Sequence, residues 1–154
     1  MNSREYSDER LLAEWRANVT AARAANDPQA VMAMIPYSGF IGGQVKLDND
    51  RLLYWLEKRS SNIGNPSLPA IHGGVIGGFL ELSASIEIIY GLDIATLPKV
   101  VDFSLDYLRP GRYKTTYARC TVLRQGKKLV NVTASAWQDD EQTPIATARC
   151  HFLI

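Results

Sequence analysis

The stretch from Leu68 to Gly91, LPAIHGGVIGGFLELSASIEIIYG, limits what this chain can become. Val75, Ile76, Phe79, Leu80, Leu82, Ala84, Ile86, Ile88 and Ile89 leave it almost no polar side, and a helix that is apolar all round has to be buried. It is also long enough for a membrane span, which needs about 18 apolar residues. His72, Glu81, Glu87 and the four glycines argue against lipid, where charged side chains are expensive. The stretch therefore reads as the central helix of a soluble domain, entered at Pro69 and closed by Gly91 at its C-terminal end.

Two features of this helix are costly. Gly73, Gly74, Gly77 and Gly78 crowd its first turns, and each interior glycine costs about 1 kcal/mol relative to alanine. Close packing accounts for such glycines, because another backbone can approach them. So does a site at the helix N-terminus, where bare N–H groups of Gly73 and Gly74 would hold an anion. The second feature is Glu81, expected to be buried with its pKa raised. An acid so placed either hydrogen-bonds a neighbouring strand or carries chemistry. Gly73 and Glu81 are eight positions apart, which is about 12 Å along one helix axis. A single carbonyl carbon cannot reach both. If both serve one reaction, they come from two copies of the helix, in a site shared across a two-fold dimer.

The run His72-Gly73-Gly74, with one acid nine residues after the histidine, resembles the phenylacetate-pathway (PaaI-like) branch of the hotdog-fold acyl-CoA thioesterases. The resemblance covers residues 36–154. It implies hydrolysis of an acyl-CoA thioester, with coenzyme A present only as part of the substrate and no further cofactor. It also implies a homodimer, with two dimers joining into a tetramer as a further expectation. In the family pattern the HGG run leads into a helix bearing a single Asp or Glu, here Glu81. An Asn or Gln stands six residues before the histidine. Here Pro66 holds that place and Asn65 lies one position earlier. A small hydroxyl residue lies near the acid, and Ser85 matches it, one helical turn beyond Glu81. Carried over, the Gly73 N–H is the oxyanion donor and Glu81 the general base or nucleophile. Asn65 orients the water or the thioester, Ser85 positions water or Glu81, and His72 with Gly74 binds substrate or shapes the turn.

Coenzyme A carries phosphates that need cations, and Arg109, Arg112, Lys127 and Lys128 lie at strand ends and turns as candidates. Ordinary solvated turn charge is the alternative for each. Trp55 or Tyr54 would wall a pocket or simply fill the core. Metal binding is not expected, since there are only two histidines and Cys150-His151 point to opposite faces of a strand. The GGVIGG run lacks the Lys-Ser/Thr of a phosphate loop, and no G-x-S-x-G nucleophile motif occurs.

At 154 residues one domain is expected. Net charge is +1 with no basic stripe, so nucleic acid is not an expected partner, nor is a membrane. The charged start MNSREYSDERLLAEW lacks the apolar region of a signal peptide. Two cysteines make no disulfide framework, and a reducing cytoplasm fits. Helical spacing predicts a helix over 7–25 capped by Ser7 or Asp8, then a short one from Pro28 to Met34. A turn over 36–39 precedes strands over 40–47 and 51–58, joined at Asp48-Asn49-Asp50. A polar loop spans 60–69. After the central helix, strands are expected over 99–108, 114–124, 127–138 and 143–153. The fold class is thus α+β: residues 36–154 as a hotdog domain, a long central helix wrapped by a curved antiparallel β-sheet, with residues 1–35 as an N-terminal helical extension. Two rival functions remain: a hydratase or dehydratase of acyl thioesters on the same fold, and a non-catalytic acyl-CoA-binding protein. A buried Glu81 would count against the second.

Overall fold

The computed structural model describes residues 9–92, 94 and 96–154. The expected caps Ser7 and Asp8 lie outside the described residues. In chain order the elements are α1 (Glu9–Ala24), α2 (Pro28–Ala33), α3 (Pro36–Ile41), β1 (Gly43–Asp48), β2 (Arg51–Leu56), β3 (Ile63–Asn65), β4 (Ala70–Ile71), α4 (Gly73–Gly91), β5 (Lys99–Tyr107), β6 (Thr116–Gln125), β7 (Leu129–Trp137) and β8 (Ala146–Leu153). Six strands make one sheet in the order β1-β2-β6-β7-β8-β5, antiparallel throughout. The expected α+β architecture is present, with α4 held against one face of the sheet.

The alternation in the strands decides which face that is. Val130, Val132, Ala134 and Ala136 of β7 are buried, while Asn131, Thr133 and Ser135 look the other way, as a period of two requires. Ala134 sits opposite Cys120 on one side and Ala148 on the other. This row of small buried side chains lets α4 come close to the sheet. Phe79, Leu80, Ile86, Ile88 and Ile89 of α4 fill the space and are fully buried. By length and composition alone α4 could cross a membrane, but 56% of its most apolar window is buried inside the fold. It is a core helix.

Several boundaries differ from expectation for physical reasons. Residues 36–41 form a helix, not a turn and the start of a strand. Pro36 occupies the first turn, and Gly42 at φ 79° ends the helix in the left-handed region. The β1–β2 turn is a two-residue hairpin: Asp48 pairs with Arg51, and Asn49 and Asp50 have φ of 50° and 62°, the combination that matches strand twist. The polar loop contains a 3-10 turn, Ser60–Asn62, and the small β3–β4 pair. Asn62 is buried there and donates Nδ2–H to the Ile41 carbonyl at 2.7 Å. Gly91 is the last helical residue rather than a left-handed cap; the N–H of Leu92 closes the end on the Ile88 carbonyl.

The two edges of the sheet are treated differently. The N-terminal arm covers β1: Gln29 of α2 accepts the Val45 N–H at 2.8 Å, and Val19, Ala22, Val31 and Met32 join the same core as α4. At the other edge, among the described residues, β5 pairs only with β8. Val101 and Tyr107 there are each 56% exposed.

Candidate active site

Four hydrogen bonds made by His72 build the N-terminus of α4. His72 is the N-cap, and its Nδ1 accepts the Gly74 N–H at 2.9 Å. The His72 N–H donates to the Asn62 carbonyl at 2.8 Å. The His72 carbonyl accepts from Val75 and Ile76. The Gly74 N–H is therefore not bare, contrary to expectation, because an N-cap acceptor satisfies it. The Gly73 N–H has no hydrogen-bond partner among the described residues. Its glycine identity has a packing cause: a Cβ there would come within 2.9 Å of the Tyr107 Oη. Gly73, Ile71, Ile76, Tyr107 and Arg109 border a shallow cleft of about 350 Å³. Tyr107 was not singled out from sequence. The available signal was its place at a strand end two residues before Arg109.

Glu81 is exposed in the single chain, which corrects the expectation of a buried acid. It lies on an outward stripe with Gly74, Gly78 and Ser85, positions that share one helix face. Apolar composition hid this stripe because its other members are small rather than polar. The Ser85 hydroxyl donates to the Glu81 backbone carbonyl at 3.0 Å, not to its carboxylate. The desolvated acid of this helix is Glu87. Burial pushes its pKa up, partly offset by the hydrogen bond from Tyr54 and by Arg51 and Arg119. Tyr54, completely buried, donates its hydroxyl to Glu87 Oε2 at 2.7 Å. Tyr54 is thus a core residue. Trp55 points to the other face of the sheet, beside Leu53 and Tyr117.

Asn65 ends β3, and its Oδ1 accepts the N–H groups of Ser67 and Leu68 at 3.0 and 3.4 Å. It closes the turn into β4, the strand that delivers His72. Arg109 donates Nη1–H to the Pro144 carbonyl at 2.6 Å. The Arg112 backbone is clamped by Gln138, through its N–H at 3.0 Å and its carbonyl at 2.8 Å. Both arginines belong to the Gly73 end, since Arg112 bridges to Ala70. Lys127 and Lys128 lie in the β6–β7 turn, with Arg124 and Leu129. Leu129 pairs with Leu153, at the far end of β8 from Ala146 and Tyr107, about 22–24 Å away at strand rise. A single chain therefore does not gather the four cations into one cluster. Cys150 is buried and His151 lies on the opposite face, near Asp102 at 3.4 Å. Burial pushes the Cys150 thiol up to about 12, so it is no ready nucleophile.

A long helix on an antiparallel sheet, with an HGG turn at the helix start, defines a class, and comparison agrees. The Thioesterase superfamily model matches residues 68–145, and the chain belongs to that superfamily. The medium/long-chain acyl-CoA thioesterase YigI of Escherichia coli K12 is 28% identical over 106 residues, covering 60% of this chain and 67% of that protein. The crystal structure of a protein from Chromobacterium violaceum is 38% identical with a TM-score of 0.73, covering 88% of this chain and 95% of the other. The phenylacetic acid degradation-related protein of Ralstonia eutropha JMP134 shares the fold at 21% identity and a TM-score of 0.67, with coverages of 77% and 89%. Family and relative together support thioester hydrolysis as the activity.

Proposed function

We propose that this protein hydrolyses acyl-CoA thioesters as a two-fold dimer, each active site combining Gly73 of one protomer with Glu81 of its partner. The observation that carries the reading is the unpartnered Gly73 N–H at the start of a 19-residue helix, beside an open cleft. The helix dipole and that N–H favour negative charge there, where a thioester carbonyl oxygen becomes an oxyanion. Glu81, exposed on its own chain, is free to meet a facing surface. The stripe of small residues around it and the bare β5 edge offer such a surface.

In the general-base form, the Glu81 carboxylate takes a proton from water as the water oxygen bonds to the thioester carbon. The electron pair of the C=O bond moves onto the oxygen held by Gly73. Collapse breaks the C–S bond, and the proton held by Glu81 passes to the departing thiolate. The products are a free acid and coenzyme A. In the nucleophile form, the Glu81 carboxylate bonds to the thioester carbon and the C–S bond breaks to release the thiolate; water then opens the anhydride, restoring Glu81 and giving the free acid and the proton that the thiolate takes up. Asn65 and Ser85 orient water or Glu81, and His72 with Gly74 shapes the oxyanion turn. Arg109 and Arg112 stand where they could meet coenzyme A phosphates entering near Gly73. Lys127 and Lys128 would do so only from a partner chain.

The test is thiol release from aryl-, phenylacetyl-, short- and medium-chain CoA thioesters by the wild type and by Glu81→Ala. Release that drops a hundredfold in a folded, dimeric variant supports the reading. An exposed Glu81 no longer separates a thioesterase from a non-catalytic CoA binder, so this assay has to. Binding without thiol release favours the binder, and change in enoyl absorbance without thiol release favours the hydratase.

A further inference from the structure

We infer that Tyr37 and Phe40, on α3, form the wall that receives the apolar acyl group of the substrate; this rests on the placement of Glu81 in the site proposed above. The hydroxyl end of the Tyr37 ring lies directly on α4: a Cβ at Gly78 would collide with its Oη and come within 3.0 Å of its Cε1 and Cζ. Gly78 precedes Glu81 by three residues, so the ring borders the acid along the outward stripe. Phe40 stacks beside Tyr37, with ring centroids 6.2 Å apart and planes 27° apart. The pair contributes little to the core. Phe40 is 77% exposed and Tyr37 is 40% exposed.

These rings are nevertheless held firmly. The Ser38 hydroxyl donates to the Met32 carbonyl at 2.9 Å. Arg59 donates to the Gly39 carbonyl at 2.7 Å, and Asn62 to the Ile41 carbonyl at 2.7 Å. Two side chains from outside α3, Arg59 and Asn62, and one of its own, Ser38, thus fix a helix of six residues whose aromatic side chains stay exposed. Preorganised aromatic area beside a reacting group is what an apolar ligand needs. The segment PYSGFI carries no charge, and Arg59, which reaches its Gly39 carbonyl, is already paired with Glu57 at 2.9 Å, so the phosphate end of coenzyme A has little to meet there. The acyl end does. A glycine at position 78 lets the ring descend onto the helix and shapes the floor between Tyr37 and Glu81.

The experiment measures binding and turnover separately. Dissociation constants for octanoyl-, phenylacetyl- and acetyl-CoA are taken by calorimetry in the Glu81→Ala background, where substrate would persist. Tyr37→Ala and Phe40→Ala are compared with Tyr37→Phe, which keeps the ring. We expect the preference for octanoyl- or phenylacetyl-CoA over acetyl-CoA to fall about tenfold in the alanine variants and to survive in Tyr37→Phe. An unchanged preference overturns the inference. So does a change of oligomeric mass in Phe40→Ala by sedimentation, which would make the patch a subunit contact. Absence of thiol release by the wild type would sink the proposed hydrolysis alone, because the affinity ratio still reports the wall.

Discussion

Glu81 and Glu87 stand six residues apart on one helix, and their surroundings are opposite. Glu87 faces the sheet, accepts a hydrogen bond from fully buried Tyr54, and has its pKa raised by burial. Glu81 faces outward among glycines and a serine. The contrast separates two ways of reading an acid in an apolar run. Desolvation marks Glu87, yet its partner is a core tyrosine and it lies near the C-terminal end of α4, away from the Gly73 turn. Glu81 lacks the desolvation, and what recommends it is position: eight residues after Gly73, on a face that a second copy can cover.

The comparison is broken most directly by removing the outward acid. Glu81→Ala should lower thioester hydrolysis at least about a hundredfold, the scale of a lost general base. Its stability should stay within about 0.5 kcal/mol of wild type, as for most exposed substitutions. Thiol release and a urea melt on the same preparation check both halves. A large loss of stability would mean that Glu81 is structural after all. The proposed dimer can also be attacked at the sheet edge. Val101→Lys places a charge on the bare β5 edge, where Val101 is 56% exposed. Edge charges oppose strand pairing. We expect a lighter particle by sedimentation and a parallel loss of turnover of about tenfold or more, since each site would lack its partner's acid. A monomer with full activity would place Gly73 and its catalytic acid in one chain.

The inward acid should behave differently. Glu87→Ala leaves the Tyr54 hydroxyl buried without an acceptor, which costs about 1–3 kcal/mol. Chemical denaturation should report that loss. The rate per folded protein should follow the wild type, since Glu87 lies away from the Gly73 turn. Glu87→Gln keeps an acceptor oxygen for Tyr54 and should recover most of the stability.

Much of this organisation was legible before any coordinates. The strands β5 to β8 show alternation and turn residues, because each has one face on the core and one outside. The His72-Gly73-Gly74 turn is local chemistry and is visible as such. What sequence could not show depends on rotation and on neighbours. A window that is apolar on most positions does not say which few point outward, so Glu81 is expected inside, and Glu87, six positions on and about 120° around the helix, is read only as an acid that need not share its site. The Gly74 donor was expected bare because the side chain that satisfies it, His72, reads as a ligand rather than a cap. Phe40 and Ile41 look like a strand start. Only the Ser38, Arg59 and Asn62 hydrogen bonds, two of them from residues about 20 positions away, hold that segment as helix α3.

The smallest effect is the most specific to Glu87, and its sign follows from the direction of the shift. The folded protein holds the Glu87 carboxyl above its ordinary value. Between the ordinary value and the raised one, the folded state binds more protons than the unfolded state. Stability from this group is therefore fully present below the unfolded value and is lost as pH rises through the folded value. Tyr54, Cys120, Arg51 and Arg119 are the charged or titratable groups coupled to it. Of these, Tyr54 and Cys120 are themselves pushed up by burial and stay neutral across that window. Urea melts of wild type and Glu87→Gln, from about pH 4 to about pH 8, isolate the effect because the other acids titrate in both proteins. The wild type should lose stability relative to the variant as pH rises. A difference that is flat with pH would mean that Glu87 ionises in the fold as easily as in the unfolded chain, and the contrast with Glu81 would then rest on the Tyr54 hydrogen bond alone.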